Sequence, residues 1–402
     1  MKIVYTVATY YPNKDGVQSV TQKQAEALAR AGHEVVVICG NKRENCAEEI
    51  HNNVKILRVN AYNKFIFPCG DRKDFLILVE RECKNADVLI TVCIPSFATT
   101  WILDMLHELQ CCKILYLHGI ADFNHLSLRK LGIVYYFYRM NKQIYWKLYY
   151  AFQWKKVKEY NAVVHIHEED GSLAYVSKRG YENNYIIYNM IEDDMFKIGD
   201  CTDNEKYFID VANYSTNKNQ KMLLKYYYRA DVPCGLIMIG SDDNAYYRDL
   251  IKYKEKLERK YGTRDVKLLH HIERYETVQY IKNALAVVIT SKTEQFPLTI
   301  LEAMAAGKPF ISSNVGVVPY LPGGIIFHNS GELIKALQKL AGDRNYGAML
   351  GKEGNTYARE HLTMECHMEK INAVLRVVTQ EASNEKNKRV YKKISGHTST
   401  AN

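Results

Sequence analysis

The chain has 402 residues, 47% hydrophobic and 25% charged, the balance of a soluble globular protein and, at this length, of two domains. That excludes a disordered chain, a collagen-like repeat and a small disulfide scaffold, and no run approaches the ~18 to 20 apolar residues of a membrane span. The net charge of +9 is compatible with nucleic acid, anionic small molecules or an anionic membrane surface, so its distribution has to decide.

Met1 to Ala8 is expected to be a first strand, because a secretory h-region would be longer and end in small residues. The ten cysteines contain no C-x-x-C pair and read as reduced thiols of a cytosol. Residues 17 to 31 carry Val20, Ala25, Leu28 and Ala29 at helical spacing, stopped by Gly32. Strands follow at Val35–Cys39, Val54–Val59, Asp87–Val92, Lys113–Leu117 and Ala162–Ile166. Continuous apolar runs of this kind are buried on both faces, as in a parallel sheet.

A second series has strands at Phe208–Ala212, Gly235–Ile239, Val266–Leu269, Ala286–Thr290 and Pro309–Ser312, with helices between them. The pattern predicts an α/β protein of two doubly wound domains, residues 1–188 and 189–364, with a cleft. A helix over residues 365–380 is free to pack back on the first half, and residues 381–402 are expected as a disordered tail.

The most informative stretch is Glu294-Gln295-Phe296-Pro297-Leu298-Thr299-Ile300-Leu301-Glu302, which follows an apolar strand. Pro297 suits the first position of a helix. Glu294 then lies in the loop before it and Glu302 five residues inside, about 7.5 Å along the axis. Between the two carboxylates are the free amides of a helix N-terminus, where phosphate is favoured. The arrangement suits a ligand with hydroxyls at both ends and phosphates in the middle, such as a nucleoside diphosphate sugar.

The Glu-x7-Glu pattern with the following Ala303-Met304-Ala305-Ala306-Gly307-Lys308-Pro309 resembles the signature of family 4 retaining glycosyltransferases of GT-B architecture. Asp15-Gly16-Val17, Gly32-His33-Glu34-Val35 and Asn189 add to the likeness. The resemblance implies two facing Rossmann-like domains, the first holding the acceptor and the second the nucleotide sugar. By the same likeness Glu302 would accept hydrogen bonds from the ribose, and Glu294 would touch the donor sugar. The amides around Phe296, Leu298 and Thr299 would face phosphates or sugar, with Pro297 among the donor-binding positions. Lys218 matches the family's diphosphate lysine, and Gly16 would let the backbone approach phosphate.

The family's usual Arg five residues before that lysine is Asn213 here, and Lys221 is a candidate replacement at a different spacing. His118 ends the run Ile114–Leu117, at the strand end where open α/β sheets bind ligands, and the family's histidine there contacts the donor sugar. There is no Asp-x-Asp and no third ligand for His165 and His167 or for His270 and His271, so no metal and no other cofactor is expected. No G-x-G-x-x-G follows the first strand, which counts against a nicotinamide enzyme.

Residues 126–158 contain eight Lys or Arg, ten aromatic residues and no acid, which suits the headgroups of an anionic bilayer. The expectation is a cytoplasmic glycosyltransferase, peripheral on the inner face of a membrane. It would pass a hexosyl or N-acetylhexosaminyl group from a nucleoside diphosphate sugar, UDP ahead of GDP, to a polysaccharide, oligosaccharide or lipid-linked glycan. The alternatives are a non-catalytic GT-B homologue acting as a binding partner and a sugar-nucleotide epimerase. Nucleic acid is not expected as a partner, because the basic residues cluster in one segment of an enzyme-like chain.

Overall fold

The apolar runs become parallel strands in two separate sheets. In the computed structural model all residues are described except 14, 41–46, 65–66, 121–132, 198–206 and 397–402. The chain divides into two compact units, one comprising Met1–Ile187 with Met368–Asn402 and the other Tyr188–His367.

The sheet of the first unit has eight strands. Their order is Asn184–Ile186, Ala162–His165, Cys112–Tyr116, Val88–Val92, Lys2–Val7, Glu34–Gly40, Val54–Val59 and Glu48–His51. Every neighbouring pair is parallel except the last, where Glu48–His51 runs antiparallel along an edge. Val35 through Cys39 are buried without alternation, as a sheet covered on both faces requires. The first helix, Gly16–Arg30, starts where the Asp15 carboxylate accepts the Gln18 amide at 2.9 Å and is followed by Gly32 at φ +88°. A small hairpin, Ala61–Lys64 with Phe67–Gly70, lies outside the main sheet.

The second unit has six parallel strands in the order Val266–His270, Gly235–Gly240, Tyr207–Val211, Ala286–Ile289, Phe310–Ser313 and Gly324–Phe327. In sequence order this is 3-2-1-4-5-6, the doubly wound nucleotide-binding arrangement. The strand order reverses between Tyr207–Val211 and Ala286–Ile289, which are direct neighbours. In sheets of this kind the helices leaving two such strands go to opposite faces, and ligands bind in the crevice this opens at the carboxyl edge.

Two features depart from the sequence reading. Gly324–Phe327 is a sixth strand, too short an apolar run to stand out. The last helix runs Met364–Gly396, through most of the segment expected as an unstructured tail over 381–402. Ala382, Glu385, Lys386, Lys388 and Arg389 are good helix formers, and neither Gly nor Pro interrupts before Gly396. Ile371, Val374, Leu375 and Val378 of this helix are buried, and the Cys112 thiol donates to the Val378 carbonyl at 3.4 Å.

Candidate functional site

At the reversal point of the second sheet, two loops are tied edge to edge. The loop after Tyr207–Val211 carries Asn213 to Asn219, and the loop after Ala286–Ile289 carries Thr290 to Pro297. The Lys292 amide donates to the Asn217 carbonyl at 2.8 Å, and the Asn217 carboxamide donates to the Thr293 carbonyl at 3.0 Å. Thr293 Oγ1 donates back to Asn217 Oδ1 at 2.8 Å, and Thr290 Oγ1 donates to the Asn219 carbonyl at 3.1 Å. Asn219 sits at φ 58°, a left-handed conformation that asparagine tolerates better than most residues, and opens the helix Gln220–Ala230.

This frame brings Lys218 and Glu294 together: Nζ donates to Oε1 at 2.6 Å. Beneath them, on the sheet itself, is Asp210, 3% exposed, whose Oδ2 has no hydrogen-bond partner among the described residues. Burial pushes its pKa up to about 7; the Lys218 ammonium opposes this and the Glu294 carboxylate adds to it.

The Glu294 loop is held from behind by Gly316. A Cβ there would meet the Gln295 carbonyl at 2.2 Å and the Glu294 carbonyl at 2.7 Å, and the backbone stands at φ +53°. The neighbouring Val317 amide donates to the Gln295 carbonyl at 3.0 Å.

The helix after the second loop is Leu298–Ala305. Pro297 occupies the cap position, one residue earlier than the sequence reading places it, and no side chain caps the helix. Its first amides are therefore open to an anion. Thr299 Oγ1 donates to the Val211 carbonyl at 2.9 Å, fastening the start of this helix to the carboxyl end of the first strand. Phe296 is buried, its ring edge-on to Tyr188 at 6.0 Å, so its side chain packs as core while Leu298 and Thr299 stay half-buried.

Glu302 is buried one turn deeper and accepts from Arg274 Nη2 at 2.6 Å. The same guanidinium reaches Glu192 Oε2 at 3.0 Å. Burial pulls the Arg274 pKa down, but the carboxylates of Glu302 and Glu192 more than reverse it, and the group is raised overall.

The remaining candidates lie elsewhere. Lys221 pairs with Asp249 and lies over the rings of Tyr246 and Tyr253, at 5.9 and 5.7 Å, so it is engaged on the face of the helix Ala245–Tyr261. Asn213 is exposed just beyond the strand end. His118 and Gly16 belong to the first unit. His118 follows the strand Cys112–Tyr116 half-buried, its ring stacked on Tyr116 at 5.1 Å. A Cβ on Gly16 would meet nothing within 4 Å, which leaves open space at the start of its helix. His165 has both ring nitrogens engaged, by Ser172 Oγ at 2.6 Å and Asn184 Oδ1 at 2.9 Å. Among the described residues no three His, Cys, Asp or Glu side chains gather so as to hold a metal ion.

Sequence reasoning missed Arg274, Glu192 and Asp210. Asp210 carries a signal, an acid inside the apolar strand Tyr207-Phe208-Ile209-Asp210-Val211. The Arg274–Glu302 pair carries none, because nothing in the spacing links two residues brought together by the fold.

A doubly wound sheet with cationic and acidic side chains at its reversal point defines a Rossmann-like α/β protein. Residues 14–191 match the family model described as Glycosyltransferase Family 4, and residues 192–357 match that of Glycosyl transferases group 1. The two models adjoin and together run from residue 14 to residue 357 of the chain, which belongs to the group 1 glycosyltransferases, family 4, with GT-B architecture. A search of curated proteins gives no match.

Among solved structures, the chain is similar to a sucrose-phosphate synthase from Thermosynechococcus elongatus, at 17% identity and a TM-score of 0.72, covering 94% of this chain and 99% of that one. It is also similar to Alr3699/HepE of Anabaena, solved in complex with UDP and glucose, at 15% identity and a TM-score of 0.68, covering 94% and 100%. A third is WaaG, a glycosyltransferase involved in lipopolysaccharide biosynthesis, at 15% identity and a TM-score of 0.64, covering 92% and 98%.

Proposed function

We propose that this glycosyltransferase works with retention of configuration. It moves a hexosyl or N-acetylhexosaminyl group from a nucleoside diphosphate sugar, UDP ahead of GDP, to a polysaccharide, oligosaccharide or lipid-linked glycan. The observation that carries the reading is the Lys218–Glu294 pair beside the uncapped start of the helix Leu298–Ala305, with Glu302 deeper on the same helix. UDP is favoured because Alr3699/HepE was solved with UDP and glucose. A glycan acceptor is favoured by the likeness to WaaG.

In this reading donor binding is an exchange of ion pairs. The charges of the site neutralise one another locally, Lys218 with Glu294 and Arg274 with Glu302 and Glu192. The diphosphate takes the Lys218 ammonium and the open amides of Leu298 and Thr299, which frees Glu294 to accept hydrogen bonds from hydroxyls of the donor sugar. Glu302 accepts from the ribose hydroxyls. As the sugar–phosphate bond breaks, charge grows on the leaving diphosphate, and a fixed ammonium stabilises that state more than the ground state. The departing phosphate oxygen takes the acceptor hydroxyl proton on the face where the new bond forms.

The test is release of nucleoside diphosphate from UDP-glucose, UDP-N-acetylglucosamine and GDP-mannose, with and without a bacterial glycolipid extract. Acceptor-dependent release, with the anomeric configuration kept by NMR, supports the reading. An inverted product overturns the retaining mechanism, and conversion of a donor alone to its epimer would replace transfer by epimerisation.

A further inference from the structure

The helix Ile133–Val157 has two unlike faces. Trp146, Tyr149, Tyr150 and Val157 are buried in the core of the first unit. Tyr149 shares a hydrogen bond with Thr100 Oγ1 at 2.7 Å, and Tyr150 donates to the Ile94 carbonyl at 3.2 Å. These aromatics are therefore core, not part of the membrane-facing set that the sequence suggests for residues 126–158. The opposite face carries Ile144, Leu148 and Phe152, which are 48%, 53% and 74% exposed, and Phe137 is 50% exposed in the same line. Positions 137, 144, 148 and 152 recur at seven and four residues, so they form one stripe along the helix.

On the helix itself the charges have one sign, the next acid being Glu159 just past its end. Lys147 and Lys158 border the stripe and Lys155 closes its C-terminal end, all three exposed, and the helix holds no acid. Lys156 is the exception in use, since it pairs with Asp104. Beside the helix, the tip of the hairpin adds Phe67, 55% exposed, whose ring meets that of Tyr145 edge-on at 5.2 Å. Lys64 on the same hairpin is also exposed.

A row of large apolar side chains in water is costly, at about 25 cal/mol per Å² left uncovered. We infer that this face, Ile144, Leu148 and Phe152 with Phe67 beside them and Lys147, Lys155 and Lys158 at the border, lies in the headgroup layer of an anionic bilayer. The charge pattern selects that occupant: lysines flanking an apolar stripe sit at the phosphate level while the stripe reaches the acyl boundary. A second copy of the same face would oppose lysine to lysine. No described helix is long and apolar enough to cross a membrane, so the contact is in the plane of the surface. The surface is distinct from the donor site and does not rest on its assignment.

The experiment is flotation of the full chain with vesicles of phosphatidylcholine alone or with a third of phosphatidylglycerol. The expected result is recovery with the anionic vesicles at least tenfold above that with neutral ones, falling as salt is raised. Ile144→Ser/Leu148→Ser/Phe152→Ser and Lys147→Glu/Lys155→Glu/Lys158→Glu should each lose it. The single variant Phe152→Asp, at the most exposed position, should lose most of it with an unchanged unfolding midpoint. Failure of the wild type to float, or undiminished flotation of Phe152→Asp, overturns the inference. So does a wild-type dimer by light scattering that becomes monomeric in Phe152→Asp while flotation is unaltered, which would assign the stripe to contact between copies.

Discussion

Lys218 and Glu294 are 76 positions apart in sequence, and Nζ donates to Oε1 at 2.6 Å. The pair joins the loops of two neighbouring strands where the strand order reverses. In the proposed reading it makes a cation available to a diphosphate only when the carboxylate finds another donor.

Lys218→Ala should therefore lower kcat by about 10² to 10³, because the charge that grows on the leaving diphosphate loses its counter-ion. Glu294→Gln keeps the size of the side chain and releases Lys218. It should weaken transfer while binding the free nucleoside diphosphate at least as tightly as wild type does. Steady-state kinetics and calorimetric titration with UDP check both. Equal kcat in wild type and Lys218→Ala would contradict the assigned role.

Arg274 holds Glu302, whose side chain is 10% exposed against 44% for the arginine. Removing the guanidinium in Arg274→Ala strands a buried carboxylate, a loss of about 3 to 5 kcal/mol for a fully buried pair and about 1 to 2 here, with solvent reaching one partner. Adding donor should restore part of that stability, since the ribose hydroxyls take the vacated acceptor. Thermal unfolding with and without UDP-sugar measures it.

Asp210 sets a pH dependence of opposite sign to the usual carboxylate. Its pKa is about 7 in the folded protein against an ordinary 3.8, so between those values the folded state holds a proton that the unfolded state has released. Its contribution to stability is thus greatest below about pH 4 and falls as pH rises toward 7, by a few kcal/mol. Asp210→Asn should flatten that decline and be more stable than wild type at pH 8. Urea unfolding from pH 5 to pH 8 reads the difference in slope.

Gly316→Ala places a methyl group against two carbonyl oxygens of the Glu294 loop at a left-handed backbone. The strain is of order 1 to 3 kcal/mol, and the loop should yield before the sheet does. Donor KM should rise severalfold with only a small change in the unfolding midpoint, as parallel kinetics and thermal scans would report.

Most of the sheet is legible in the sequence because its strands are buried on both faces, so Val35–Cys39, Val88–Val92 and Ala286–Ile289 stand out as unbroken apolar runs. Gly324–Phe327 escapes because its run is so short that periodicity says nothing. Glu294 and Glu302 are legible because a strand, a proline and a helix fix their positions in one continuous segment. Lys218 shares that advantage by following its own strand. Arg274 and Glu192 are not, since only the folded chain brings them to Glu302. The aromatic-rich helix Ile133–Val157 divides in the same way: its composition is plain in the sequence, but which rings are core and which face outward depends on what packs against it.

The central claim is that the reversal point of the second sheet holds a nucleoside diphosphate sugar. Thermal unfolding of wild type and Glu302→Ala against UDP- and GDP-sugars tests it most directly. Stabilisation of the wild type by one nucleotide class, about 2.7 kcal/mol at a hundred times the dissociation constant, and its loss in a folded Glu302→Ala, is the predicted result. A wild type that unfolds at the same temperature with every nucleotide sugar, or a Glu302→Ala that gains as much as wild type, would contradict it.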